Sequence, residues 1–222
     1  MSVSEIIAYF NNEDRVAKHY PGKILKSTQF GEYSPTPLGP FNAGIDQLCT
    51  EGAIPREGIL FDGGYGDGRI LSLSAEKGYD PYGMEGDYEL AQKGRTNDEL
   101  LLDLGLRRRD RAVTLGHENF VSTRAYREQL GIFVSDINIF FNYQSNGFAL
   151  AELIAVESPV GTKFIYLSND PWAPRFAPQI AHRNTKKLDT EKPMYLRVYE
   201  KVSCQQNRKH SRMYAHVPRV PA

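Results

Sequence analysis

Cysteine is scarce: the 222 residues hold two, Cys49 and Cys204. They make no disulfide scaffold and neither has metal-ligand spacing, so a reducing, cytoplasmic setting is expected. Net charge is missing too. The 27 Lys and Arg cancel the 27 Asp and Glu, which argues against a chain whose main work is electrostatic nucleic-acid binding. The local basic runs "GLRRRDR" (105–111) and "QQNRKHSRMYAHVPRV" (205–220) read as a solvated face and a fraying tail. No apolar run approaches the ~20 residues of a membrane span. The start, "MSVSEIIAYFNNEDR", lacks the basic-then-apolar pattern of a secretory leader. His19, His117, His182, His210 and His216 are scattered and form no ligand pair, so no metal site is expected.

What is present suffices for a sizeable core. With 41% hydrophobic residues the chain is expected to form one domain behind an N-terminal extension. Residues 4–19 read as an amphipathic helix begun by Ser4. A loop-rich stretch with "GEYSPTPLGP" follows, its prolines favouring extended or turn geometry. Residues 41–53 then read as a helix ending near Gly52. From there short apolar strands alternate with helices. The strands are "GILFDGG", "YDPYGME", "RAVTLGHENF", "INIFFNYQ" and "TKFIYLSND", and "HRNTKKL" and "MYLRVYEKV" form a closing pair. This alternation predicts an α/β three-layer sandwich with a mostly parallel seven-stranded sheet ending in an antiparallel hairpin. Three parts follow: an N-terminal helix and Pro-rich segment (1–40), the main domain (41–203) and a basic tail (204–222).

The densest signal is "FDGGYGDGRI" (61–70), at the turn from the first of these strands to its helix. Asp67 is placed to cap that helix and Gly78 to end it. In open α/β sheets ligands bind at strand carboxyl ends, and glycines there let a ligand approach the backbone beside a helix N-terminus. No lysine follows the glycines as a triphosphate cradle requires, and dinucleotide loops place the third glycine one residue later. The pattern here is D-x-G-x-G-x-G: Asp62, Gly64, Gly66, Gly68. An acidic lead suits a ligand with an ammonium group and no pyrophosphate.

This run resembles motif I of class I S-adenosylmethionine-dependent methyltransferases, the seven-stranded Rossmann-like group, and the likeness extends over about residues 33–201. It implies S-adenosylmethionine as cofactor, with Asp62, Gly64, Gly66, Asp67 and Gly68 around it. In "GYDPYGMEGD", Glu85 lies about twenty residues past the glycines, where an acid would accept hydrogen bonds from the ribose. Glu118 or Asn119 of "LGHENF" falls where the family reads the adenine amino group, and the sequence does not choose between them. "EYSPTPLGPFNAGIDQL", "GDGRI", "VGTKFIYLS", "PWAP" and "MYLRVYEK" are similar to small archaeal and mitochondrial protein-lysine methyltransferases. Thr36 would then be the hydroxyl of a Pro-Thr-Pro loop covering the cofactor.

The fourth strand departs from that group. "FFNYQSN" carries a polar run, from which Asn142 and Tyr143 are the candidates for orienting a nucleophile. The N/D-P-P-[YF] signature of enzymes methylating base or glutamine amides is absent. The expected activity is methyl transfer to a nucleophile, a protein lysine first. The alternatives are a small-molecule acceptor and a non-catalytic S-adenosylmethionine-binding protein, with a dehydrogenase further off. The acceptor is expected to be a protein or small molecule rather than nucleic acid, and no membrane partner is expected.

Overall fold

A computed structural model describes residues 2–18, 24–28, 31–143 and 146–203. Helix α1 (Val3–Val16) starts earlier than Ser4, because the Glu5 carboxylate accepts the Ser2 main-chain N–H at 2.9 Å. Two short strands, β1 (Lys26–Thr28) and β2 (Gly31–Tyr33), pair antiparallel where the sequence reads as loop. Helix α2 (Leu38–Thr50) begins three residues before the expected Phe41, with Pro40 in its first turn, where no intrahelical N–H is needed. It runs across the 40/41 boundary.

Then follow β3 (Ile59–Gly63), α3 (Arg69–Glu76), β4 (Asp80–Glu85), α4 (Tyr88–Asp103) and β5 (Thr114–His117). After them come α5 (Thr123–Ala125), which continues as a π-helical turn over Tyr126–Leu130, β6 (Ile139–Tyr143), α6 (Gly147–Glu157), β7 (Lys163–Ser168), β8 (Ile180–Leu188) and β9 (Met194–Lys201). The seven-stranded sheet has the order β5-β4-β3-β6-β7-β9-β8. Strands β3 to β7 are mutually parallel, and β9 pairs antiparallel with both β7 and β8. The expected fold, closing hairpin included, is present.

Both faces of the sheet are covered, which is why β6 is apolar without alternation. Phe141 meets Phe41 edge-on in a core that also holds Phe10 and Leu71, and Phe140 meets Phe61 in a second core with Tyr126 and Leu150. Each buried phenylalanine contributes roughly 1.5–3 kcal/mol. The run "GLRRRDR" is not simply a solvated face. Arg107 is buried, pairs with Asp98 at 2.6 Å and donates to the main-chain carbonyls of Arg108 and Arg111, clamping the turn after α4. The 205–220 run and Cys204 lie outside the described residues. Among the described residues no helix is long and apolar enough to cross a membrane.

Candidate active site

Strand β3 lies between β4 and β6, whose connections leave on opposite sides, so its carboxyl end is the topological switch point of the sheet. The loop there takes positive φ at Gly64 (87°), Gly66 (55°) and Gly68 (80°). Two of these glycines answer to the protein itself. A Cβ on Gly66 would stand 2.5 Å from the Tyr33 ring, and one on Gly68 would stand 3.3 Å from the Gly94 carbonyl oxygen. Gly94 lets α4 press against the loop, since a Cβ there would meet the Tyr65 ring at 2.6 Å.

Asp67 is not the N-cap residue of α3: that is Gly68, with no side-chain cap. The Asp67 carboxylate does accept the Arg69 main-chain N–H, at a long 3.4 Å, and it belongs to a buried ionic cluster. Arg69 donates to both Asp14 carboxylate oxygens at 2.8 Å, to Asp67 at 2.7–3.0 Å and to the Thr36 main-chain carbonyl at 3.2 Å. Its guanidinium also lies 5.0 Å from the Phe10 ring centre. One arginine thus ties α1, the Pro-Thr-Pro segment and the glycine loop together. Asn97 adds a bond from α4, donating to the Asp67 carbonyl at 2.9 Å.

Around this cluster lies a narrow cleft lined by residues that include Glu32, Tyr33, Ser34, Thr36, Asp62, Gly64, Asp67, Glu85, Phe120 and Tyr143. The lining is acidic. Burial, with Glu85 and Asp67 nearby, raises the Asp62 carboxyl well above its ordinary range. Burial also raises Glu85, although the amides of Asp87 and Gly66, each 2.9 Å away, partly hold it down. Burial works against the charge of Asp67 as well, but Arg69 outweighs it and the carboxyl titrates low. The β1–β2 hairpin forms the outer wall, pinned by Lys26 to Asp87 and Glu89 at 2.7 Å each.

The two fourth-strand candidates part company. Tyr143 faces the cleft. Asn142 is fully buried among the α6-facing residues, donates to the Gly63 carbonyl at 2.7 Å and does not line the cleft.

No protein-family model matches the sequence, and no curated protein matches it. Solved structures do. A protein from Listeria monocytogenes assigned as a class I S-adenosylmethionine-dependent methyltransferase superposes with a TM-score of 0.62 at 12% identity, over 91% of this chain and 69% of that one. The fold is that of the class I methyltransferases. A protein from Pyrococcus horikoshii assigned as an RNA methyltransferase gives a TM-score of 0.55 at 12% identity, over 90% and 98% of the two chains. An RNA methyltransferase from Salinibacter ruber, solved with S-adenosyl-L-homocysteine, gives 0.50 at 20% identity, over 76% and 95%. The finer likeness to lysine methyltransferases finds no support among these structures.

In this methyltransferase fold Thr36, Asp62, Gly64, Asp67 and Glu85 meet at one cleft, with Gly66 and Gly68 shaping the loop behind it. Glu118 and Asn119 lie outside the lining. Glu118 is exposed and accepts the Asn119 N–H, and Asn119 Oδ1 accepts the Val121 N–H, so both serve the turn after β5. Phe120 lines the cleft in their place. Sequence reasoning missed Asp14, Tyr33, Ser34, Arg69 and Gly94. Only Gly94, a glycine inside a helical pattern, carried a readable signal of close approach.

Proposed function

We propose that this chain is an S-adenosylmethionine-dependent methyltransferase whose acceptor is a protein side chain, lysine first. The observation that carries the reading is the charge of the cleft. Glu32, Asp67 and Glu85 line it with Asp62, which favours its proton until a cation arrives, and the cation among them, Arg69, is already engaged by Asp14 and Asp67. Such a lining repels a pyrophosphate and favours a ligand with an ammonium and a sulfonium. The comparison with methyltransferase folds, one of them holding S-adenosyl-L-homocysteine, supports the same cofactor.

S-Adenosylmethionine would supply an electrophilic methyl group. Glu85 retains lone pairs beyond its two amide bonds for ribose hydroxyls. Asp62 and the loop at Gly64 would face the amino-acid end, and Phe120 offers an apolar face at the far wall. The Pro-Thr-Pro segment and Tyr33 would keep water from the reacting atoms. The chain's chemical contribution is then alignment of an acceptor that arrives deprotonated.

A lysine acceptor suits the acidic mouth at Glu32, whereas a phosphate-rich acceptor would meet repulsion there. The test is transfer of radiolabelled methyl to a cell lysate separated into protein, RNA and small-molecule fractions. Label in protein, confined to lysine on hydrolysis, is the expected result. Label in RNA or in small molecules alone would overturn the acceptor, and no label in any fraction would count against catalysis.

A further inference from the structure

Three hydroxyls of the cleft wall are buried without a well-formed hydrogen bond among the described residues: Tyr33 Oη, Ser34 Oγ and Tyr143 Oη. Tyr33 lies beside the charged Asp67 and Arg69, which leaves Ser34, just after β2, and Tyr143, the last residue of β6, as the uncharged pair. Both side chains line the same cleft. Buried polar atoms are nearly always paired, so two orphans on one wall ask for a ligand. Burial raises the Tyr143 phenol, and the Ser34 hydroxyl, close enough for a weak hydrogen bond to it but not in good geometry, works the other way; the net shift is upward. Tyr143 therefore stays neutral and serves as a hydrogen-bonding group, not as a base.

We propose that Ser34 and Tyr143 form the acceptor subsite and that the group they receive is a neutral amine, its N–H bonds directed at the two hydroxyl oxygens. The assignment deepens the methyltransferase reading and rests on it. Three features of the cleft select an amine. The carboxylates of Glu32, Asp67 and Glu85, with Asp62 able to ionise beside a cation, disfavour an acceptor carboxylate or phosphate and attract a basic nitrogen. An alcohol acceptor would need its proton taken by a strong base during transfer, and among the described residues the lining offers only carboxylates for that. An amine must first give up its ammonium proton to water or to a cleft carboxylate; once neutral, it offers its lone pair while its N–H bonds hold it in place. On transfer the nitrogen's pair forms the N–C bond, the C–S pair stays on sulfur, and the surplus proton leaves to water. Ser34 and Tyr143 are thus positioning residues for the nucleophile.

The test does not require the natural acceptor. Two analogues of S-adenosylhomocysteine are compared by calorimetry on the full chain, each with nitrogen in place of sulfur. One bears a 2-aminoethyl arm where the methyl would be, and the other a propyl arm of the same length. The parent is expected to bind the aminoethyl analogue about tenfold tighter than the propyl analogue, as hydrogen bonds to a basic group allow. Ser34→Ala and Tyr143→Phe should each remove most of that preference, Ser34→Thr should keep it, and affinity for S-adenosylhomocysteine itself should stay level throughout. Equal binding of the two analogues by the parent would overturn the subsite. So would a preference that survives both substitutions, or a parallel loss of S-adenosylhomocysteine, which would assign the hydroxyls to the cofactor. A parent that binds no S-adenosylhomocysteine would instead bring down the methyltransferase reading, a separate failure visible in the first titration.

Discussion

Removing one partner of Arg69 should weaken the whole molecule, since that side chain joins three segments. Arg69 is 3% exposed, so solvent screens it little. Asp14→Asn keeps the shape but removes a charge and turns one of the two 2.8 Å acceptors into a donor. A hydrogen bond between charged groups contributes about 1.5–3 kcal/mol and a neutral one about 0.5–1.5. Losing one bond and weakening the other therefore costs about 3 kcal/mol, a fall in Tm of roughly 6–12 °C for a chain of this size.

Arg69→Met goes further, because it leaves Asp14 and Asp67 without their cation, at about 3–5 kcal/mol. Its pH dependence has a definite sign. In the parent, Asp67 titrates below its ordinary value, so its stabilisation is present above the unfolded pKa and is lost as pH falls through the folded one. Without Arg69, burial is opposed only by the lesser effects of Lys93 and the Tyr33 hydroxyl, and the carboxyl titrates higher. The deficit of Arg69→Met should then be largest near neutrality and shrink as pH falls toward about 5, when protonation removes the buried charge. Urea unfolding at two pH values, with thermal melts alongside, measures both effects. An Asp14→Asn variant melting with the parent, or an Arg69→Met deficit that ignores pH, would refute the ionic-hub account.

Other outcomes follow from the same cleft. Gly66→Ala places a Cβ 2.5 Å from the Tyr33 ring at a φ of 55°. It should cost at least about 1 kcal/mol in stability and, by displacing Tyr33 from the cleft wall, weaken S-adenosylhomocysteine binding, read by calorimetry; unchanged affinity would show that Tyr33 does not shape the ligand site. Glu85→Gln turns one acceptor into a donor facing the amide of Gly66 or Asp87, so affinity should fall about tenfold, and a loss under twofold would exclude the ribose role. Asp62 titrates high in the ligand-free cleft, and a bound ammonium would lower it, so binding should release protons and tighten as pH rises; calorimetry in buffers of different ionisation enthalpy checks this, and proton uptake would contradict it.

The sheet was legible because its strands are short, apolar and separated by helix-length segments, and "INIFFNYQ" reads as buried on both faces because it is. The glycine loop was legible in place but not fully in cause. Gly66 and Gly68 make room for Tyr33 and for α4, and neither neighbour is near in sequence. Arg69 looked like an ordinary first-turn residue, since nothing in "DGRILSL" announces that Asp14 reaches it from α1. Likewise "GLRRRDR" read as solvated because the sequence cannot show that Asp98 waits for Arg107. Ser34 and Tyr143 each look unremarkable alone, and their meaning arises when the segment after β2 folds against the end of β6. Glu118 and Asn119 were placed by family position, yet their side chains close a local turn and Phe120 takes the wall.

The central claim is that the acid-led loop at the end of β3 serves a sulfonium nucleoside and not a dinucleotide. Titrating the full-length chain with S-adenosylhomocysteine and, separately, with NAD tests it most directly. Saturable micromolar binding of S-adenosylhomocysteine, with no heat from NAD, is the predicted result; binding of NAD alone would contradict the account.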